Sequence, residues 1–287
     1  MAASTLRWLA LLRLVRWYNV LLTLIAQYLC AIFVFAPQRT AWQHLADYRL
    51  HLIACCTALI ISAGFIINSF YDRERDAINH PDRLNLQRLV SKEFALRMYL
   101  WLNLAALFVA ALTSLNVVIF MVAFAGGLWF YSHKLQRIPL VREISAAILT
   151  VTAIVSVALY FGVLDRWLAL YGLFFMMLIF MRELIKDLVA MRGDAIFGYT
   201  TMAVWLGERQ TVKTILLLWF LTLLPGGTLL WYSDNPVFKA GVATICSLSG
   251  ITVFWEYFGV HRFRYAHGNL MMRIVVVLLI ASLPWLY

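Results

Sequence analysis

Charge is scarce in this chain. Only 13% of its 287 residues are Asp, Glu, Lys or Arg, whereas 63% are apolar, and the mean hydropathy is +0.82. A soluble globular domain carries about a quarter charged residues, so that class is excluded. There are only six prolines and 14 glycines. No low-complexity linker interrupts the sequence, and no soluble appendage is expected. The four cysteines, Cys30, Cys55, Cys56 and Cys246, all lie in apolar runs. None forms a CxxC pair and no histidine stands at zinc-ligand spacing, so a disulfide scaffold or zinc site is excluded. They read as small hydrophobes. The N-terminus is not expected to act as a cleaved signal peptide, because Arg13 and Arg16 interrupt the apolar run that one would need. Residues 5–16 read instead as a basic interfacial helix leading into a first span. Ionisable residues are nearly absent from mid-span positions, Glu256 being the nearest, which argues against an ion path.

What is present is apolar sequence of membrane-crossing length. Such runs fall at 18–36, 50–68, 98–114, 116–132, 144–162, 166–182, 212–232, 237–258 and 271–286. The expected fold is therefore an all-α, polytopic membrane protein of nine transmembrane helices, forming a single domain over residues 1–287. The third and fourth spans are joined by a short turn at Ser114–Asn116. Pro225-Gly226-Gly227 is expected to kink or break the seventh. The net charge of +10 points to helix orientation and anionic lipid headgroups, not nucleic acid.

The basic residues alternate by loop. Arg7, Arg13 and Arg16 precede span 1. Arg73, Arg75, Arg83, Arg88, Lys92 and Arg97 follow span 2, and Lys134, Arg137 and Arg142 follow span 4. Arg182, Lys186, Arg192, Arg209 and Lys213 follow span 6, and Arg262, Arg264 and Arg273 follow span 8. These are 20 of the 24; Arg39, Arg49, Arg166 and Lys239 lie opposite. The positive-inside rule places the N-terminus in the cytoplasm and the C-terminus outside. Ten of 14 carboxylates share the cytoplasmic set. Topology does not require that, because acidic residues contribute little to orientation.

Three polar segments carry the chemistry. After span 2, Asn68, Asp72 and Asp76 recur every four residues and stack on one helical face. Two carboxylates one turn apart repel unless a cation lies between them, and Mg²⁺ suits such a site. The alternative is a pair of headgroup-level charges neutralised by Arg73 and Arg75. The second segment runs from Arg182 to Asp194. Glu183 and Asp187 share a face, and Asp194 lies on a similar heading if the helix continues past Gly193, a residue that can also end it. Lys186 and Arg182 supply the cations that a metal-bound phosphate needs. The third, Tyr131-Ser-His-Lys134-Leu-Gln-Arg137-Ile-Pro139, is a positive-inside loop that also offers cations to a diphosphate. His133 and His80 are candidate acid–base groups, though loop histidines usually are not. Segments 69–97 and 183–211 lie four spans apart, which suggests a pseudo-repeat of four helices plus a ninth, with a site between the halves.

These residues, in this order, resemble the UbiA-type intramembrane prenyltransferases over nearly the whole chain. Gly64-Phe-Ile-Ile-Asn68 through Arg83 is similar to the family's NDxxDxxxD segment and its N-K-P-x-R-P extension. Arg182 through Gly207 is similar to its REIIKDxxDxxGDxxxGxxTLPxxxG stretch. Tyr131–Pro139 resembles its helix 4–5 loop, and Arg16-Trp-Tyr-Asn19 its Arg-Pro-x-Asn entry into helix 1. The resemblance implies a UbiA-like bundle with a central chamber opening at the cytoplasmic face. It implies Mg²⁺ on the two acidic motifs, and an isoprenoid diphosphate and a lipophilic acceptor as substrates. It also implies a bacterial inner-membrane location with a cytoplasmic active site. No nucleic acid or obligate protein partner is implied. Asp72, Asp76, Asp187 and Asp194 become the expected metal ligands. Asp72, Asp76, Lys134 and Lys186 are the expected catalytic residues. Asn68, Arg83, Tyr131, Arg137, Asn19 and Glu183 are the expected substrate-binding residues.

The chain departs from the pattern at four places. Ser69 stands where many members have Asp, and Leu84 replaces a Pro. Ala190 stands where the second DxxxD begins, and Arg192 replaces an acidic residue. Losing the carboxylate at 190 weakens one metal site unless Glu183 or Asp187 compensates. The expected activity is Mg²⁺-dependent transfer of a polyprenyl group, closest to members that prenylate glycerol phosphates. Quinone-precursor acceptors, a catalytically degenerate binding protein and a transporter are the competing readings.

Overall fold

The computed structural model describes residues 10–73, 90–163, 165–259 and 264–286. Among these, nine helices are long and apolar enough to cross a membrane. They are α1 (Trp17–Leu29), α2 (Tyr48–Tyr71), α3 (Lys92–Ala111), α4 (Leu115–His133) and α5 (Val141–Phe161). Then come α6 (Arg166–Ile196), α7 (Glu208–Tyr232), α8 (Pro236–Phe258) and α9 (Arg264–Ser282). A π-helical turn, Cys30–Phe35, continues α1. All nine expected spans are present, within the few residues by which helix ends vary.

Short polar residues start these helices. Asp47, Ser91, Ser114, Asp165 and Asn235 each accept a backbone N–H in the first turn of α2, α3, α4, α6 and α8. A side-chain oxygen there satisfies one of the four donors that a helix start leaves unpaired. Two of the carboxylates outside the basic face, Asp47 and Asp165, are thereby explained as caps. Asp47 also takes the Tyr160 hydroxyl at 2.8 Å.

The structure corrects or decides five expectations about local structure. The α3–α4 turn lies at 112–114, with Ser114 as the cap. Helix α7 runs unbroken through Pro225. Gly226 sits against Phe174 and Cys246, so α7 approaches α6 and α8 closely where a side chain would not fit. Helix α6 continues through Gly193 to Ile196. At 1.5 Å per residue its 31 residues span about 46 Å, against about 30 Å of hydrocarbon, so its last turns project beyond the core. Residues 10–14 are helical, as expected of the segment before span 1, but the helix stops at Arg16. Arg16 has φ 49° and ψ 52°. Glu256 lies in the last turn of α8, not at mid-span, and is fully buried against Gly268 of α9.

The core is built along α6, whose Phe174, Leu178, Met181, Leu184 and Ile185 are fully buried. Helices α5, α7 and α9 pack around it. One polar staple crosses the apolar interior. Gln27 Nε2 of α1 donates to Thr57 Oγ1 of α2 (3.0 Å), and to Ala153 O and Ser156 Oγ of α5 (2.8 and 3.0 Å). Apolar burial gives no preference for one helix partner over another in lipid, so such bonds help to set register.

Candidate active site

The basic face gathers the ends of α2 and α4, the start of α5 and the extension of α6. On α2, Asn68 Nδ2 donates to Asp72 Oδ2 at 2.8 Å, and Asp72 is buried. The four-residue spacing therefore makes Asn68 the residue that aims Asp72. Gly64, one turn earlier, allows Leu128 of α4 to approach to 3.0 Å of where a Cβ would stand. That close packing brings the end of α2 beside the end of α4. Tyr131, in the last turn of α4, lies near Arg142 and in the electrostatic field of Asp72 and Asp187.

Asp187 and Asp194 are seven residues apart, two turns along α6, and both are fully buried. Two ionised carboxylates held this way are costly unless compensated. The compensation comes from Arg142 in the first turn of α5. Its Nη1 lies 2.9 Å from Asp187 and 3.6 Å from Asp194. Glu143, also fully buried, lies against Asp187 and accepts the Met202 N–H at 3.5 Å. Its carboxylate in the first turn of α5 is favoured by the helix dipole. Among the described residues, no group of three or more His, Cys, Asp or Glu side chains is arranged to hold a metal.

The structure divides the expected residues into three groups. Asn68, Asp72, Tyr131, Asp187 and Asp194 converge. Glu183 lies on α6 with Asp187 and Asp194 but is engaged by Lys186 and by Arg182, the latter at 3.2 Å. Lys134 and Arg137 are exposed on the turn after α4, and the Arg137 guanidinium lies 5.6 Å from the Tyr199 ring, just past the end of α6. His133 is stacked on Trp129 and packs on Tyr71. Asn19 lies in the first turn of α1. Asp76, His80, Arg83 and Leu84 fall outside the described residues.

Arg142 and Glu143 were not foreseen as site residues; in the sequence Arg142 counts only as an orienting charge and Glu143 only as one of the carboxylates on the basic face. Their signal is an adjacent pair of opposite charges placed one residue inside an apolar span, after Leu140. Leu140 has φ 67°, a backbone region that is costly for a branched side chain.

A second cluster lies at the start of α1. Arg182 lies in the field of Arg16 and Arg273, and Lys186 in that of Arg182 and Arg16. The N-terminus of α1 has no side-chain cap, so its positive end adds to three helices' worth of cations. On the opposite half of the bundle, an apolar cavity of about 310 Å³ lies between α1, α5, α6 and α9, lined by Cys30, Ile154, Tyr171, Phe175 and Ile280 among others. A larger, open hollow of about 660 Å³ between α7 and α8 is away from the carboxylates.

The UbiA prenyltransferase family matches residues 24–275. Digeranylgeranylglyceryl phosphate synthase from Methanoregula boonei is 30% identical over 171 residues, which are 57% of this chain and 59% of that protein. The match to several such curated relatives spans about three fifths of their length. Among solved structures, one described as giving insights into digeranylgeranylglyceryl phosphate synthase in membranes superposes with a TM-score of 0.70. It has 16% identity, over 97% of each chain. A UbiA homolog from Archaeoglobus fulgidus, bound to GPP and Mg²⁺, gives 0.66 at 16% identity, over 96% of this chain and 99% of that one. These structural likenesses bear on fold alone. With nine membrane-spanning helices among the described residues and with residues 24–275 matched, the chain belongs to the UbiA prenyltransferase family.

Proposed function

We propose that this protein transfers a polyprenyl group from an isoprenoid diphosphate to a lipid acceptor of the glycerol-phosphate type, in a Mg²⁺-dependent reaction at the cytoplasmic face. The observation that carries the reading is the convergence of Asp72, Tyr131, Arg142, Asp187 and Asp194 from four helices at the basic face. The location of 20 of 24 Lys and Arg on that side supports a cytoplasmic orientation.

The donor set suits Mg²⁺, because the side chains available are hard carboxylate oxygens without sulfur or imidazole. Asp72 and Asp76 are the proposed ligands, and Asn68 holds Asp72 in its rotamer. Asp72 and Asp76 would hold Mg²⁺, which would supply positive charge to offset the negative charge of the leaving group. Tyr131 and Arg142 orient the diphosphate from the α4–α5 side, and Lys134 and Arg137 add cations at the rim. The C1–O bond of the allylic diphosphate breaks and the diphosphate departs with the electron pair. The acceptor hydroxyl oxygen then bonds to C1 and releases its proton. The apolar cavity lies further along α6; ten residues separate Met176 from Lys186, which is about 15 Å. It suits the far end of a polyprenyl tail, and its volume is at the lower end of ligand pockets.

Arg16, Arg182 and Arg273 support an anionic acceptor, because their shared field favours a phosphate monoester over a neutral ring. The Methanoregula boonei relative is named for a glyceryl phosphate product. A second reading, a binding protein without turnover, is favoured by the occupation of Asp187 and Asp194 by Arg142. One assay separates the two. The purified protein is incubated in detergent with Mg²⁺, labelled geranylgeranyl diphosphate, and either a prenylglyceryl phosphate or an aromatic quinone precursor. Diphosphate release with the phosphate lipid is the expected result. Binding of the diphosphate without release under any pairing would establish the second reading.

A further inference from the structure

Two features of Arg142 do not follow from the reading above. First, it stands where a cation is least favoured, in the first turn of α5, whose N-terminus carries about half a positive charge. The preceding residue but one, Leu140, takes a left-handed backbone to start that helix. Second, among the described residues Nε and Nη1 of the guanidinium are buried without a hydrogen bond, Nη1 meeting the α6 carboxylates as an ion pair and Nε facing no carboxylate in an ion pair. A buried donor left unpaired is costly. Strained entry, an unfavourable dipole and an unused donor are tolerated together only if the group is needed at that point.

The carboxylates supply the need. Asp187 and Asp194 both face Arg142 Nη1, Glu143 lies against Asp187, and Ala190 adds no further carboxylate on α6. We infer that Arg142 serves as a built-in cation in this arm. Its guanidinium pairs with Asp187 and Asp194, offsetting one of their two charges where a divalent metal would otherwise sit, and turns its Nε–H toward the diphosphate. The divalent metal is left to the Asp72 side. Arg142 is then a diphosphate-binding residue, and the α6 carboxylates position it instead of ligating metal. The inference rests on the prenyl-transfer reading and refines it.

The test counts metal ions on the full chain in detergent, using Mn²⁺ and a geranylgeranyl thiolodiphosphate that resists ionisation. Electron paramagnetic resonance reports bound Mn²⁺ per chain. The wild type should bind one. Asp187→Asn should still bind one, and Asp72→Asn should bind none. Arg142→Gln should bind two, or else lose thermal stability that Mn²⁺ restores. Where Arg142→Gln does not fold, the Asp187→Asn count decides. Two Mn²⁺ in the wild type, falling to one in Asp187→Asn, would overturn the inference and leave the prenyl-transfer reading standing. If the wild type bound no metal-dependent diphosphate at all, that reading would fall and the inference with it.

Discussion

At the residue scale, Asp72 is the side chain on which the proposed chemistry most depends. It is buried, aimed by Asn68 and sensed by Tyr131. Asp72→Asn preserves its shape and removes its charge. We expect kcat to fall about 10²–10³-fold, the size of loss that follows removal of one fixed electrostatic partner of the departing group. Steady-state diphosphate release measures it, and unchanged turnover would refute the assignment. Arg182→Gln tests the other end of the site. If Arg16, Arg182 and Arg273 hold the acceptor phosphate, KM for a prenylglyceryl phosphate should rise about tenfold, the equivalent of about 1.4 kcal/mol. KM for geranylgeranyl diphosphate should stay within twofold. An equal rise in both would place Arg182 with the diphosphate.

Much of this was legible at single residues. Asn68 and Asp72 are four apart, and that spacing fixes them on one face whatever the tertiary context. Asp187 and Asp194 are on one face only because α6 continues through Gly193. Glycine permits both a helix end and a helix interior, so the residue itself cannot decide. Arg142 was not legible because its meaning lies in α6, about 45 residues downstream. A charge pair at a span entry reads as orientation until the facing helix is known.

At the scale of elements, two contacts hold the helices that carry the site. Gln27 bonds α1 to α2 and α5 within the apolar layer. Gln27→Ala should lower stability by about 1–2 kcal/mol, read as an earlier midpoint in thermal or denaturant unfolding in detergent. Gly64→Val should cost about 1–3 kcal/mol, because its new side chain would press on Leu128. It should also reduce activity, since the α2–α4 contact places Asp72 beside Tyr131. A stable but fully active Gly64→Val variant would show that this contact does not set the site. The spans themselves were the most legible layer, because about 20 apolar residues can satisfy their backbone in lipid only as a helix. The interior polar staple was not, since a lone Gln, Thr and Ser in apolar runs carry no periodic signal.

At the scale of the whole molecule, the asymmetry of charge predicts orientation. In a background with the four cysteines replaced by alanine, Lys134→Cys should react with an impermeant maleimide only after vesicles of outward-facing membrane are opened. Asp234→Cys, in the α7–α8 turn, should react in sealed vesicles. The reverse pattern would invert the proposed topology and place the site outside.

Helix α6 has one further consequence. It carries the cavity wall at Tyr171 and Phe175 and the carboxylates at Asp187 and Asp194 on a single unbroken rod. Each inserted residue turns everything beyond it by about 100° and advances it about 1.5 Å. One added alanine between Met176 and Arg182 would therefore swing both carboxylates away from Arg142 while leaving the α6 lining of the cavity in place. An addition of seven would restore their heading, and only their depth would change. On the prenyl-transfer reading, the rod would act as a ruler between tail and headgroup, and drift in its length would be permitted only in whole turns.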